Sequence, residues 1–227
     1  MTFLEGQKIE KIYHLADLHI RNVKRHKEYK IVFQRFLDDV DSNNFDSAII
    51  YIAGDIAHAK TEMSPELIDL ISWFLKECAN RHSTFLITGN HDCNQNNPSR
   101  MDALSPIIQN ISHPDVHYLK DTGVHQIGDL TVVVYSILDH MDNWPSGTEI
   151  EGDTKICFFH GPINKSETDV GYQITSHRFT PSLFDGFDLA LLGDIHKRQV
   201  VQDFAIDQID VDEDEVEEYL KNGWELS

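Results

Sequence analysis

Five apolar runs of strand length end directly on side chains that bind metals, and this repeated placement constrains the fold more than any other feature of the chain. Runs at residues 9–16, 47–53, 84–88, 155–159 and 188–192 are followed at once by Asp17-Leu18-His19, Gly54-Asp55-Ile56-Ala57-His58, Gly89-Asn90-His91-Asp92, His160-Gly161 and Gly193-Asp194-Ile195-His196. A sixth run, 130–138, has no such ending. Short apolar runs bounded by glycine or polar residues suit buried strands. In open α/β sheets ligands bind in the crevice beyond the strand C-termini, so five such loops can converge on one point. Glycine beside the ligands lets the backbone turn sharply and approach closely.

Between the first three runs lie helical patterns. Residues 64–80 place Leu67, Ile71, Phe74, Leu75 and Cys78 on one face, with Ser64 as N-cap and Pro65 in the first helical position. Residues 25–40 do the same with Tyr29, Val32, Phe33, Phe36, Leu37 and Val40. Beyond His113 the chain becomes mostly strands and loops, so an α/β fold is expected, without an internal repeat.

Charge divides the chain. Of the formal net charge of −19, about half lies beyond residue 202, where ten carboxylates face Lys221 alone. The expected organisation is one domain over 1–202 and an acidic tail over 203–227, with a weakly docked helix at 211–224. Such acidity leaves no basic nucleic-acid footprint in the bulk, so any grip on phosphate must be local or metal-mediated. The one basic cluster, Arg21, Lys24, Arg25, Lys27 and Lys30, follows the first ligand motif. Arg21 and Arg25 are candidate phosphate contacts at the rim, although the cluster suits a solvated helix face equally.

Cys78, Cys93 and Cys157 are widely spaced, which excludes a disulfide framework and a cysteine zinc site and fits a reducing compartment. No run is long enough to span a bilayer, and the first residues lack the apolar core of a signal peptide, so a soluble intracellular, cytoplasmic protein without membrane partners is expected. There is no G-x-S-x-G, no H-E-x-x-H and no complete phosphate loop around Gly161–Ser166. Carboxylates, imidazoles and an amide without a thiolate favour manganese, iron or zinc over a soft metal. Singly, Asp17-x-His19, Gly54-Asp55 and His160 each suit an ordinary strand-end turn or a core histidine. The ordered set is what points to a metal centre.

That ordered set resembles the calcineurin-like metallophosphoesterases, whose members carry D-x-H, G-D, G-N-H-D/E, H and G-H-x-H in this order. The match spans residues about 10 to 198. Gly54-Asp55-Ile56-Ala57-His58 with Ser64-Pro65-Glu66, and His91-Asp92 with Asn94, are most similar to the SbcD-type nuclease subunits of double-strand-break repair, of phage or large-virus kind. Protein serine/threonine phosphatases continue their second motif with Asp-Arg-Gly, which is absent here. The resemblance implies a sandwich of two central sheets flanked by helices, without an evident capping domain. It implies two divalent ions, manganese first, with magnesium, iron or zinc as alternatives. Asp17, His19 and His196 would hold one ion and Asn90 and His160 the other, with Asp55 bridging. His91 would serve the leaving oxygen, Asp92 would orient His91, and His58 would meet the substrate phosphate. The implied activity is cleavage of DNA as exonuclease and single-strand endonuclease, with an SbcC-like ATPase partner and a homodimer built on the helix from Ser64 and one near 101–110. Asp194 departs from the family's histidine. As a hard oxygen ligand it can still hold the second ion, with preference shifted towards manganese or magnesium. A phosphoesterase for a small phosphodiester or nucleotide is the alternative function, and a catalytically weak binding module a third.

Overall fold

The computed structural model describes residues 1–43, 45–175 and 178–201. The acidic tail and its expected helix lie outside them. Strands β2 (Lys11–Leu15), β3 (Ala48–Ile52), β4 (Thr84–Leu86) and β5 (Val116–Tyr118) form a parallel sheet in that order. The second sheet runs β1 (Thr2–Phe3), β6 (Gly123–Ile127), β7 (Leu130–Tyr135), β8 (Lys155–His160) and β9 (Leu189–Gly193). Only β6 and β7 pair antiparallel, because the two residues Gly128-Asp129 close a hairpin with Gly128 at φ 58°. Helices α1 (His26–Asn43), α2 (Pro65–Ala79) and α3 (Ser105–Ile111) complete the layers.

Every residue of β3 is buried, and its two faces serve different cores. Ile49, Tyr51 and Ala53 pack with Phe85 against Val132, Val134, Ile156 and Phe158 of the other sheet, with Tyr51 and Phe158 stacked 3.6 Å apart. Ala48, Ile50 and Ile52 face the helices, meeting Leu37, Leu67, Ile71 and Phe74. On the far side of the second sheet, Val133, Tyr135, Cys157 and Phe159 are covered by Ile163, Phe184, Phe187 and Trp144, which come from loops and short 3₁₀ turns. The period-two alternation thus gives the expected two-sheet sandwich, with helices on the face of the first sheet. Each large apolar side chain of this kind contributes roughly 2 kcal/mol on burial.

All six apolar runs form strands, and α2 begins as expected, the Ser64 hydroxyl accepting the Leu67 N–H at 3.2 Å. Three differences have local causes. The strand expected over 130–138 stops at Tyr135, where Ser136 Oγ turns to donate to the Lys120 carbonyl at 2.6 Å. The helix near 101–110 starts only at Ser105, because Asp102 Oδ1 accepts the N–H of Leu104 and Ser105 while its other oxygen meets Lys120 at 2.8 Å. On α1, Val32 lies 57 % exposed rather than on the core face, which Phe33, Leu37 and Val40 fill. Among the described residues no helix is long and apolar enough to cross a membrane.

Candidate metal centre

The loops after β2 and β3 run side by side: His19 N–H donates to the Asp55 carbonyl at 2.9 Å and Ile20 N–H to the Ile56 carbonyl at 2.9 Å. From α1, the Tyr29 hydroxyl anchors the His19 carbonyl at 2.7 Å. This pairing folds the ligand residues back sharply. Asp17 (φ 55°), His19 (φ 44°), Asp55 (φ 52°) and Asp194 (φ 93°) all occupy the left-handed region, which costs non-glycine residues on the order of 1 kcal/mol each and persists where surrounding structure enforces it.

The side chains of these loops converge on one place. His19 Nε2 lies 3.1 Å from His196 Nε2 and 3.5 Å from Asp55 Oδ2. On the other side, His160 Nε2 lies 3.5 Å from Asp55 Oδ1, 3.0 Å from Asn90 Oδ1 and 3.7 Å from Asp194 Oδ1. Asp55, 2 % exposed, therefore presents one oxygen to each group. Asp17 falls within ligand distance of both, with His19 and His196 and with Asp55 and His160. The Asn90 amide oxygen faces only acceptors, the Asp55 carboxylate and His160 Nε2. Two donors each about 2.1 Å from one ion at a right angle stand about 3 Å apart, so these separations are the edges of a coordination polyhedron, and convergent acceptors are what a cation satisfies. The residues fit two divalent ions. His160 is oriented for this by Nδ1, which donates to the Ala53 carbonyl at 2.6 Å and leaves Nε2 for the centre.

Without a cation the charges strain one another. Burial, aided by the Asp55 charge, raises the Asp17 and Asp194 carboxyls above their ordinary range. Burial also works to raise Asp55, but the bond and charge of His160, the His91 N–H and His19 outweigh it and leave it lowered. His19 is pushed down to about 4, chiefly by burial. Burial would lower His160 too, yet the Asp55 carboxylate overrides it and lifts His160 to about 9. Its folded value exceeds the unfolded one near 6.5, so in metal-free protein the His160 proton contributes stability that is complete below about pH 6.5 and lost as pH rises through about 9. A metal must displace that proton. Metal binding at pH 7 is expected to release about one proton, read calorimetrically as a heat that varies with buffer ionisation enthalpy; a buffer-independent heat would contradict it.

The His91 ring stands 4.7 Å from that of His19, and its backbone N–H donates to Asp55 Oδ1 at 2.7 Å. Its Nδ1 meets the His58 carbonyl at 2.8 Å, so His58 backbone, and not Asp92, orients it. Asp92 is fully buried and tied elsewhere: Oδ1 accepts the Ala57 N–H at 2.9 Å, and Oδ2 those of Gly89 at 3.0 Å and Ile56 at 3.4 Å. Burial pushes its carboxyl up to about 7 against the pull of the Ala57 and Gly89 N–H groups. It clamps the second ligand loop to the third. Asp92→Ala should strand two or more buried donors and lower stability by about 2–4 kcal/mol in a denaturant titration. An unchanged midpoint would show that the clamp does not matter.

His58 is exposed, its ring stacked with His91 at 5.7 Å. Arg21 and Arg25, expected at the rim, form no hydrogen bond or ion pair with the described residues of the centre. Both are exposed in the stretch before α1; Arg25 pairs with Glu28, and the Arg21 carbonyl accepts from His26 Nε2. Sequence reasoning missed Lys60, whose Nζ donates to the Asn90 carbonyl at 2.8 Å, and Glu167, which braces the strand end beyond His196 through Lys197 at 2.7 Å and Gln199. Contacts to backbone carbonyls, and a pairing between residues thirty positions apart, leave no local pattern to find.

A two-sheet sandwich whose strand ends converge on paired carboxylates, imidazoles and an amide defines a metal-dependent phosphoesterase class, and the profile of the calcineurin-like phosphoesterase family matches residues 10–198. The chain belongs to that family. It is 39% identical over 209 residues to an uncharacterized protein of Acanthamoeba polyphaga mimivirus, an alignment covering 86% of this chain. The chain spans only 15% of that protein's length.

Proposed function

We propose that the protein is a metal-dependent phosphodiesterase that cleaves DNA, as an SbcD-type nuclease domain. The observation that carries this reading is the imidazole pair His58 and His91, held face to face beside His19 at the centre. When bound, two divalent ions supply a water of lowered pKa and neutralise the charged phosphoryl oxygens. Asp17, His19, Asp55 and His196 would hold the first position, and Asn90, His160, Asp194 and Asp55 the second. His91, with Nδ1 fixed on the His58 carbonyl, offers Nε2 to the leaving oxygen as proton donor. His58 is free to meet a phosphate oxygen. The motif continuing from Gly54 to His58, without the phosphatase Asp-Arg-Gly, supports a phosphodiester over a phosphoprotein substrate. An SbcC-like ATPase, a homodimer and an intracellular setting belong to the same proposal.

A small phosphodiester or nucleotide is the second reading. The net charge of −19 and the pairing of Arg25 with Glu28 favour it. The test is cleavage of end-labelled linear and single-stranded DNA with manganese, with magnesium and with chelator, beside a chromogenic diester. Manganese-dependent DNA cleavage, abolished by chelator and reduced roughly 10²–10⁴-fold in His91→Ala, is expected. Hydrolysis of the small diester alone would select the second reading, and no hydrolysis of either would leave a binding module.

A further inference from the structure

We infer that the two metal positions differ in kind, the one formed by Asn90, His160 and Asp194 favouring manganese or magnesium over zinc relative to its neighbour. The inference rests on the two-ion centre of the proposed function and not on DNA as substrate. The first position is built around two imidazole nitrogens, His19 and His196, 3.1 Å apart, with Asp17 and a shared Asp55 oxygen. The second offers a single imidazole, His160, and otherwise oxygen: the Asn90 amide at 3.0 Å from it, Asp55 Oδ1 at 3.5 Å and Asp194 Oδ1 at 3.7 Å. Asp194 is set in place by its own backbone, whose N–H donates to both Asp17 oxygens, at 2.9 and 3.1 Å, from a left-handed conformation at φ 93°. Zinc is best served by nitrogen and sulfur in a tetrahedron, whereas an oxygen-rich set with room for waters suits octahedral magnesium and manganese. The third carboxylate, added to Asp17 and Asp55, also increases the negative charge that a hard divalent ion must neutralise. Zinc binds most sites more tightly than manganese, so the expected result is a narrowed preference at one position.

The test counts ions rather than turnover. Metal-free protein is dialysed against zinc with manganese in excess, then assayed by elemental analysis and by the manganese paramagnetic resonance signal. Wild type should hold one zinc and one manganese per chain. Asp194→His should hold zinc at both positions, its second-site ratio of zinc to manganese affinity rising about tenfold or more. Asp194→Asn, which keeps the shape and an oxygen donor, should bind the second ion more weakly without turning to zinc, and guards against a histidine variant that misfolds. Zinc at both positions of the wild type overturns the inference, as does an Asp194→His protein with the wild-type ratio. Neither result bears on whether DNA is cleaved, and failure to cleave DNA leaves the metal counts standing. A protein that holds no metal under any condition overturns the centre itself.

Discussion

Asp55→Asn should empty both metal positions together. Asp55 turns its two oxygens to opposite halves of the centre, Oδ2 towards His19 and Oδ1 towards His160, each at 3.5 Å. The substitution keeps the shape but removes the charge and turns one acceptor into a donor aimed at histidine nitrogens or at the cation. His196 and His160 each stand on one side, so His196→Ala or His160→Ala should lose one ion first. For Asp55→Asn, elemental analysis should fall below one ion per chain at concentrations that fill the wild type, and phosphoester turnover should fall by roughly 10³-fold or more. The rise in melting temperature on adding metal, worth about 2.7 kcal/mol when metal is at a hundred times its Kd, should vanish with it. An Asn variant that retained one tightly held ion would show that Asp55 does not bridge.

Gly89→Ala should be nearly as damaging without replacing any ligand residue. A Cβ at position 89 would sit well inside van der Waals contact of the Asp55 carboxylate and amide. Neither side can yield, because Asp92 Oδ2 holds the Gly89 N–H at 3.0 Å and the Gly89 carbonyl holds the Asp92 N–H at 3.1 Å. Displacement of Asp55 by even part of an ångström spreads both coordination shells. The expected result is loss of metal together with about 1–3 kcal/mol of stability, seen as a melting temperature lower by roughly 5 °C. Gly123→Ala is the matched control. Its added Cβ would meet nothing closer than 3.4 Å, on His125 Nε2, and it should bind metal as the wild type does. Equal metal content in the two variants would remove the close approach at Gly89 from the account.

Of the strands that sequence showed, β3, β4, β7 and β8 are buried nearly throughout, whereas β2 and β9 are only partly so. Residues 48–52 and 156–160 are apolar throughout except for His160, because each lies between two packed layers. β1, β5 and β6 escaped because their signal is weak: two residues in β1, three around His117 in β5, and in β6 a half-polar Gly123–Ile127 with Val124 45 % exposed. The convergence of the candidate ligand loops was legible because turns at strand ends are local, so order along the chain reports position in space. The role of Asp92 was not. A carboxylate next to His91 can face it or turn inward, and only the buried N–H groups of Ala57 and Gly89, from two separate loops, decide the direction. His91 takes its orientation from a carbonyl, which every residue possesses and no motif can mark.

Each metal position draws on both sheets. The first combines the ends of β2 and β3 with His196 beyond β9, and the second combines the end of β4 with His160 of β8 and Asp194 beyond β9. Ions held there would clasp one end of a two-leaved book, whose spine is the Tyr51–Phe158 layer. Metal supply and the mechanical coherence of the molecule become one variable. Without metal the leaves are held at that edge by the His160–Ala53 and Asp194–Asp17 bonds and by charge pairs, and amide exchange there should quicken before the spine is touched.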